Sequence, residues 1–379
     1  MKLFTKKPKP YEPPMHIDKY WPIYRENVFV DKKKSRLPYW SAPLITLLAI
    51  ILTVFYLAPT ISRRVINLGQ SRDNDGQQIS RRYTDLDRVV LSPVADVYDA
   101  PDIKARRLVQ VLYNEPVSLL DQPTYYGFRQ VLLQDGFTGY MRESDLSIFC
   151  DAVEPSLAIN KLVVATGSKR IMSHAKTGTL VAEVMMGTVL YADYRGDGIS
   201  RVLLPSGESG WISDDGLVIL PPDGEVLPVA DGARYLTTTA LTFLNVTTLD
   251  HGVTIYGASI PGIVFVSASV NGLKVPRQMS GQIQAGQAVN LERIEETGLV
   301  DTRILNPGDI LFFSRSGSLS DLDQMAICMT PNSLLVENQG RSSIRLIDPA
   351  KDETLWQTLV SVRRLFPAAS ATSQPQESR

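Results

Sequence analysis

Residues 255–277 read IYGASIPGIVFVSASVNGLKVPR and predict a tight turn followed by a buried helix. Pro261 suits the first helical turn, because the N–H that proline lacks would have no helical partner there. The pair Asn-Gly at 271–272 predicts the end of that helix. Further on, residues 306–313 read NPGDILFF, which predicts a turn leading into a buried strand. The order of helices first and strands afterwards predicts an α+β unit.

These motifs resemble those of the NlpC-type cell-wall peptidases, which are papain-like cysteine hydrolases. In that family Asp-Cys-Ser-Gly starts the helix, and a Gly-x-x-Leu-Pro-Arg segment and a Pro-Gly-Asp-Leu-x-Phe-Phe strand follow. A later strand opens with histidine. The resemblance covers residues 87–366 and implies an α+β papain-like (NlpC-type) domain at residues 230–366.

The resemblance places Ile260 at the nucleophile position and Gln324 at the position of the base. The third polar position falls on Val336, Glu337 or Asn338, and the sequence leaves these three open. Isoleucine cannot attack a carbonyl and glutamine cannot act as a base near neutral pH, so the catalytic residues are expected to be lost. We expect Ile260 to pack inward. The candidates for a ligand-binding cleft are Tyr256, Ser259, Gln324, Asn338 and His251.

Few other residues offer chemistry, since the chain has three histidines and two cysteines. The alternative enzyme hypothesis is a relocated nucleophile, for which Cys328 with His251 is the pair to test. A strand thiol lacks the helix dipole that lowers a thiol pKa, so we interpret Cys328 as a small buried residue. Cys150 and Cys328 are expected to be unpaired. No spacing suits a metal site, and no cofactor is expected.

Two earlier regions, residues 87–150 and 158–220, contain short alternating runs punctuated by Gly and Pro, which predict two small all-β barrels. Each ends in Gly-x-x-Gly-aromatic-aliphatic, as GFTGYM at 136–141 and GESGWI at 207–212. This ending resembles that of bacterial SH3-like domains. The predicted fold class is therefore a membrane-anchored multidomain protein, with two SH3-like barrels followed by the papain-like domain.

The apolar run at residues 43–60 contains no charged side chain and predicts a transmembrane helix over residues 43–62. A cleaved signal peptide is the competing interpretation, which the long preceding segment and the lack of an Ala-x-Ala site disfavour. Basic residues are more frequent before the span, which predicts a cytoplasmic N-terminus. We expect a cytoplasmic basic tail at 1–42, a spacer at 63–86 and a disordered tail at 367–379. Most of the chain would then lie outside a bacterial inner membrane, in the periplasm or its equivalent.

Composition is that of an ordinary globular protein, with 379 residues, 44% hydrophobic and 21% charged side chains and a net charge of −1. This charge gives no electrostatic case for nucleic acid. Tyr20, Trp21 and Tyr24 predict either a docking peptide for a cytoplasmic partner or a membrane-proximal tail. The predicted function is a pseudo-peptidase that binds peptidoglycan stem peptides or an envelope protein without cleaving. The alternatives are the relocated hydrolase and a structural inner-membrane scaffold subunit.

Overall fold

The computed structural model describes residues 83–120, 124–292, 300–338, 343–348 and 353–366. None of the helices within these ranges has the length and apolarity to cross a membrane. The predicted membrane helix at 43–62, the N-terminal tail and the C-terminal tail lie outside the described residues, as does nearly all of the predicted spacer.

The first seven strands form one antiparallel sheet, in the spatial order β3-β2-β6-β5-β4-β1-β7. Their bounds are β1 (Asp87–Val90), β2 (Val94–Tyr98), β3 (Arg107–Leu112), β4 (Pro116–Leu119), β5 (Phe128–Leu133), β6 (Thr138–Arg142) and β7 (Leu146–Ser147). Alternate side chains point inward, as the two-residue period of a strand requires. They form a small core of branched aliphatic residues that includes Val97, Val111 and Val131.

The next seven strands form a second antiparallel sheet, in the order β10-β9-β13-β12-β11-β8-β14. Their bounds are β8 (Asn160–Val164), β9 (Ser168–Met172), β10 (Leu180–Met185), β11 (Val189–Gly196), β12 (Ile199–Leu203), β13 (Ser209–Ser213) and β14 (Leu217–Leu220). Position by position this is the strand order of the first sheet. Both copies of the sequence repeat thus fold with one topology, and each has a core of its own.

The remaining described residues, from 221 onward, form the third unit. Its helices are α1 (Gly232–Leu241), α2 (Ile260–Val270), α3 (Met279–Gln282) and α4 (Glu353–Gln357). Its strands are β15 (Val253–Thr254), β16 (Gly257–Ala258), β17 (Gln287–Ala288), β18 (Asp309–Phe313), β19 (Gln324–Thr330), β20 (Ser333–Asn338), β21 (Ser343–Ile347) and β22 (Leu359–Arg364). β15 and β16 form a hairpin just before α2, and the other six strands form a sheet in the order β17-β22-β18-β19-β20-β21.

Residues 235–247 read YLTTTALTFLNVT and predict the first helix of this unit, but helix α1 starts and ends earlier. Three consecutive threonines, residues 237–239, bond their hydroxyls to backbone carbonyls of the preceding turn, which weakens a helix. The chain then turns away at Asn245, whose φ is 69° and whose N–H donates to the Ile344 carbonyl at 2.9 Å. The backbone therefore pairs with β21 at this point instead of continuing the helix.

The six-stranded sheet has a core on each face. We call the core on the α2 face the helix-side core; it includes Ile260, Phe312, Met325 and Ile327. Leu112 of the first sheet and Met185 of the second also belong to it, so all three units share this core. The opposite face carries the far-side core, which includes Leu311, Phe313, Ala326, Cys328 and Val336.

Candidate functional site

Helix α2 begins where the sequence predicts. Ser259 has an extended backbone and its Oγ accepts a hydrogen bond from the N–H of Gly262 at 3.3 Å, which is the usual cap of a helix N-terminus. The N–H of Ile263 donates to the Ser259 carbonyl at 2.9 Å. Pro261 has no N–H, so Ile260 is left with the one N–H of the first turn that needs a partner from elsewhere.

Glu337 of β20 supplies that partner. Its Oε1 accepts from the N–H of Ile260 at 2.7 Å, across 77 residues of sequence. Burial raises the pKa of the Glu337 carboxyl, the Ile260 hydrogen bond opposes that rise, and nearby Asp250 adds to it. The partial positive charge of a helix N-terminus also acts against that rise in pKa, although burial dominates. Of the residues that the sequence left open, Glu337 reaches the helix start with its side chain, whereas Val336 lies in the far-side core.

Ile260 itself points into the helix-side core, with 1% of its surface exposed. A loop covers the helix start, because the Gly252 carbonyl accepts from the Ser259 N–H at 3.0 Å. The approach is so close that a Cβ on Gly262 would lie 2.0 Å from that carbonyl oxygen. The position that the resemblance assigns to the nucleophile is therefore buried and aliphatic.

The residue assigned to the base position, Gln324, lies on the face of the sheet opposite α2. Gln324 pairs with Phe313, which belongs to the far-side core, whereas Met325 pairs with Phe312 and lies in the helix-side core with Ile260. A shift of one residue along a strand moves the side chain to the other face of the sheet. The residue of β19 that faces α2 is thus Met325 and not Gln324. Methionine has no group that could take up a proton near neutral pH.

The structure does not bring Cys328 and His251 together. Cys328 is fully buried in the far-side core, and its Sγ donates to the Thr330 carbonyl at 3.3 Å. Burial raises the pKa of its thiol to about 12. His251 lies next to Gly252 on the loop over the helix start, with φ of 55° and Nε2 3.6 Å from Asp250 Oδ1. The two residues therefore lie on opposite faces of the sheet. Both Cys150 and Cys328 are unpaired.

The other candidates are dispersed. Asn338 is the last residue of β20, where it pairs with Ser343. Tyr256 is 64% exposed, and its hydroxyl donates to Oε1 of Glu183 in the second sheet at 2.9 Å. That hydrogen bond raises the pKa of the tyrosine hydroxyl. Of the predicted cleft residues, Ser259 and His251 lie at the helix start, and Tyr256 faces the second sheet instead.

Both sheets hold the β15–β16 hairpin from equivalent places. Gln110 of β3 accepts from the N–H of Val253 at 3.2 Å, and Glu183 of β10 accepts from Tyr256. Gln110 pairs with Asp96 as Glu183 pairs with Arg170, so the two residues occupy corresponding register positions. Sequence reasoning missed these two hydrogen bonds to the hairpin, because they depend on the register of the strands and not on a local motif.

Arg277 fixes the third unit to the first sheet. Its guanidinium bonds to Glu115, to Asp135 at 3.0 Å and to the Gln110 carbonyl at 3.0 Å, and it stacks 4.3 Å from the centroid of the Phe265 ring. The side chain is 10% exposed. The arginine that ends residues 255–277 is therefore a structural link between units.

Two shallow cavities lie in the third unit, of about 510 and 290 Å³. Asp231, Arg234 and Phe366 line the larger, and Lys274 and Pro276 the smaller; neither reaches Ile260. Among the residues that the structure describes, no group of three His, Cys, Asp or Glu side chains could hold a metal ion.

Comparison with known proteins identifies similar folds. The chain is 22% identical over 243 residues to a γ-D-glutamyl-L-lysine dipeptidyl-peptidase of Bacillus cereus; the match covers 62% of this chain and 66% of that relative, slightly less than two thirds of its length. The fold is similar to the crystal structure of an NlpC/P60 family protein from Bacillus cereus, with a TM-score of 0.63, 18% identity, and coverage of 74% of this chain and 100% of the other.

A more distant likeness is to an NlpC/P60 endopeptidase from Photobacterium damselae subsp. piscicida, at a TM-score of 0.46, 10% identity, and coverage of 75% of this chain and 72% of the other. No protein-family model matches the chain. The sequence and structure neighbours both point to the NlpC/P60 family of cell-wall peptidases. The resemblance to the NlpC-type peptidases is thereby confirmed, and the chain is mostly β with a few helices, in an NlpC/P60-like fold.

Proposed function

We propose that this protein binds peptidoglycan stem peptides without cleaving them, as a membrane-anchored pseudo-peptidase with an NlpC/P60-like fold. The observation that carries the proposal is the start of α2, where Ile260 is buried and its N–H is bound by Glu337. The peptide as ligand is supported by the relative's name, which specifies a γ-D-glutamyl-L-lysine substrate for that protein.

A papain-like hydrolysis needs three things at the helix start: a thiolate, a base and donors for the oxyanion. Here the side chains that could fill the first two places are Ile260 and Met325, neither of which transfers a proton. The backbone N–H of Ile260, a natural oxyanion donor at a helix start, already donates to Glu337. The residues at the helix start therefore supply no thiolate, no base and no free oxyanion donor, so cleavage at this site is not expected.

The two seven-stranded sheets and the predicted anchor accord with this function. Their shared strand order and their Gly-x-x-Gly-aromatic endings support SH3-like domains. The charge-free run at 43–60 supports a single membrane-spanning helix, with the N-terminus in the cytoplasm and residues 63–379 outside the inner membrane. The relocated-nucleophile alternative loses support, because Cys328 is buried on the far side of the sheet from His251.

The test is to incubate the full-length chain in mild detergent with purified disaccharide-tetrapeptide muropeptides and to follow them by mass spectrometry. An active NlpC/P60 peptidase serves as the positive control. We expect intact muropeptides after a time in which the control converts all of them, and saturable binding by isothermal titration calorimetry. Release of dipeptide products by the wild-type chain, or no binding at all, would reject the proposal.

A further inference from the structure

The strand registers of the two sheets correspond, and one pair of opposed residues in each sheet marks the same place. Tyr98 of β2 pairs with Tyr140 of β6, and Met172 of β9 pairs with Trp211 of β13 at the corresponding place. Each pair marks the centre of a row of side chains that crosses the outer face of its sheet. The two rows differ in how many of their side chains bond to the third unit.

In the first sheet the row is occupied by internal contacts. Arg107, which pairs with Tyr98, donates to Asp96 at 3.1 Å and to the backbone carbonyl of Asp250 in the third unit at 3.2 Å. Tyr98 is 6% exposed, and its hydroxyl donates to Asp96 at 3.1 Å. The edge of β3 is covered as well, since Gln278 donates to the Leu108 carbonyl at 3.4 Å.

In the second sheet the corresponding row is more exposed, and its Arg201 donates to Asp193 of the same sheet at 2.8 and 3.1 Å. Register pairs connect five strands in the order Leu180, Met172, Trp211, Arg201 and Tyr194. Leu180 is 57% exposed and Tyr194 is 44% exposed. The Tyr194 and Trp211 rings meet edge to face at 5.7 Å, and the Arg201 guanidinium lies 6.0 Å from the Trp211 centroid. Trp, Tyr, Arg and Met are the residues that concentrate at binding surfaces.

A basic side chain borders this row where the first sheet has an acidic one. Arg170 stands at the register position of Asp96 and is exposed. Asp96 binds Arg107 and Gln110, whereas Arg170 makes no hydrogen bond or ion pair with any residue that the structure describes. Lys176, also exposed, lies in the turn that joins β9 to β10. Arg170 and Lys176 thus add positive charge beside the apolar side chains of this row, while Asp193 neutralises Arg201 and Glu183 lies opposite Arg170.

Strand β10 also offers a backbone edge. It is the terminal strand of the second sheet, and Leu180 and Val181 at its start are 57% and 38% exposed. An exposed edge can pair with an extended peptide, which obtains affinity from main-chain hydrogen bonds and specificity from side-chain contacts. The equivalent edge strand β3 is covered by the third unit, so this opportunity exists on the second sheet.

We propose that the outer face of the second sheet, formed by Arg170, Met172, Leu180, Tyr194, Arg201 and Trp211, is the site where the peptidoglycan stem peptide binds. This rests on the proposed function and moves its ligand away from the closed start of α2. A γ-linked D-glutamyl residue keeps its α-carboxylate free, and the stem peptide has a C-terminal carboxylate as well. These anions complement Arg170, and the extended peptide lies along β10 with its aliphatic parts on Trp211 and Met172.

The test measures the affinity of the full-length chain for a stem tetrapeptide, a disaccharide-tetrapeptide and peptide-free glycan strands, for wild type and for Arg170→Glu. We expect both peptide ligands to bind and Arg170→Glu to weaken each by about tenfold or more. The matched control is Arg106→Glu, at an exposed arginine just before β3 with 72% of its side chain accessible, which should change the affinity by less than about twofold. Trp211→Phe, which retains an aromatic ring, should weaken binding less than Trp211→Ala.

The outcomes separate this site from the function itself. Peptide binding that Arg170→Glu and Trp211→Ala leave unchanged would overturn the site while the proposed function stands. Equal binding of peptide-free glycan would overturn the peptide as occupant. Circular dichroism of each variant shows whether it folds, and if Trp211→Ala does not, Arg170→Glu decides, because its side chain is exposed and forms no hydrogen bond or ion pair with a residue that the structure describes.

Discussion

The two seven-stranded sheets share one strand order but use their outer faces in opposite ways. In the first sheet Asp96 and Arg107 bond to each other and Arg107 also bonds to the third unit, so the face is an internal joint. In the second sheet Arg170 and Leu180 stand at the same register positions and remain exposed. A duplicated fold can thus assign one copy to holding a neighbour and leave the other for a ligand.

The largest effect is expected from Arg277→Ala, which removes the main link between the first sheet and the third unit. The variant leaves Glu115 buried beside no cation, so the free energy of unfolding should fall by about 3–5 kcal/mol, measured by urea denaturation. Arg106→Ala, which removes an exposed pair, should cost no more than about 1 kcal/mol. Equal losses in the two variants would mean that the Arg277 contacts do not bear on stability.

The next effect compares equivalent positions of the two sheets directly. Asp96→Ala removes the acceptor of Arg107 and Gln110 and should cost about 1.5–3 kcal/mol, whereas Arg170→Ala should stay within about 0.5 kcal/mol. Thermal and chemical denaturation of both variants check this. If Arg170→Ala is as destabilising as Asp96→Ala, Arg170 has an internal partner and the second face is not free.

At the start of α2, Glu337→Ala should cost about 1–3 kcal/mol, because the buried N–H of Ile260 loses its acceptor. Glu337→Gln retains an acceptor oxygen and should cost less. The pH dependence has a definite sign: the folded-state pKa of Glu337 is raised above 4.5, so the folded protein holds this proton more tightly than the unfolded chain does. The stability of wild type relative to Glu337→Gln should therefore be highest below that value and fall as pH rises through the folded-state pKa. A difference that rises with pH would contradict this assignment.

The smallest effect concerns Cys328, whose thiol pKa is raised from 9.0 to about 12 by burial. Between these values the unfolded chain ionises the thiol and the folded chain does not, so the folded state loses relative stability as pH rises. Wild type should lose more stability than Cys328→Ala over this range. A fluorescent maleimide should label Cys328 at pH 7 only after unfolding, and rapid labelling of the native chain would reopen the hydrolase alternative.

Local signals predicted part of this structure well. Pro261 and the preceding serine fix the start of α2, and the repeated Gly-x-x-Gly endings mark the last hairpins of the two sheets. The family motif assigns Gln324 to the base position, whereas the strand register puts its side chain on the face away from α2. Residues 325–328 of β19 are all buried, so no alternation in the sequence sets that register. Helix α1 ends early because of a pairing with β21, which sequence neighbours do not reveal.

The contacts that define the two faces could not be predicted. Gln110, Glu183 and Arg277 meet their partners across 70 residues or more of sequence. Glu337 was one of three open choices, and only the strand register selects it. Such choices depend on tertiary packing, which periodicity and composition do not encode.

The most direct measurement is photo-crosslinking of the full-length chain with a muropeptide that carries a diazirine on its stem peptide, mapped by mass spectrometry. Binding on the second sheet predicts crosslinks at Met172, Leu180 and Trp211, with the bound peptide recovered intact. Crosslinks concentrated at Ile260 or His251, or a peptide recovered as cleaved fragments, would contradict the account of a closed helix start and an open outer face.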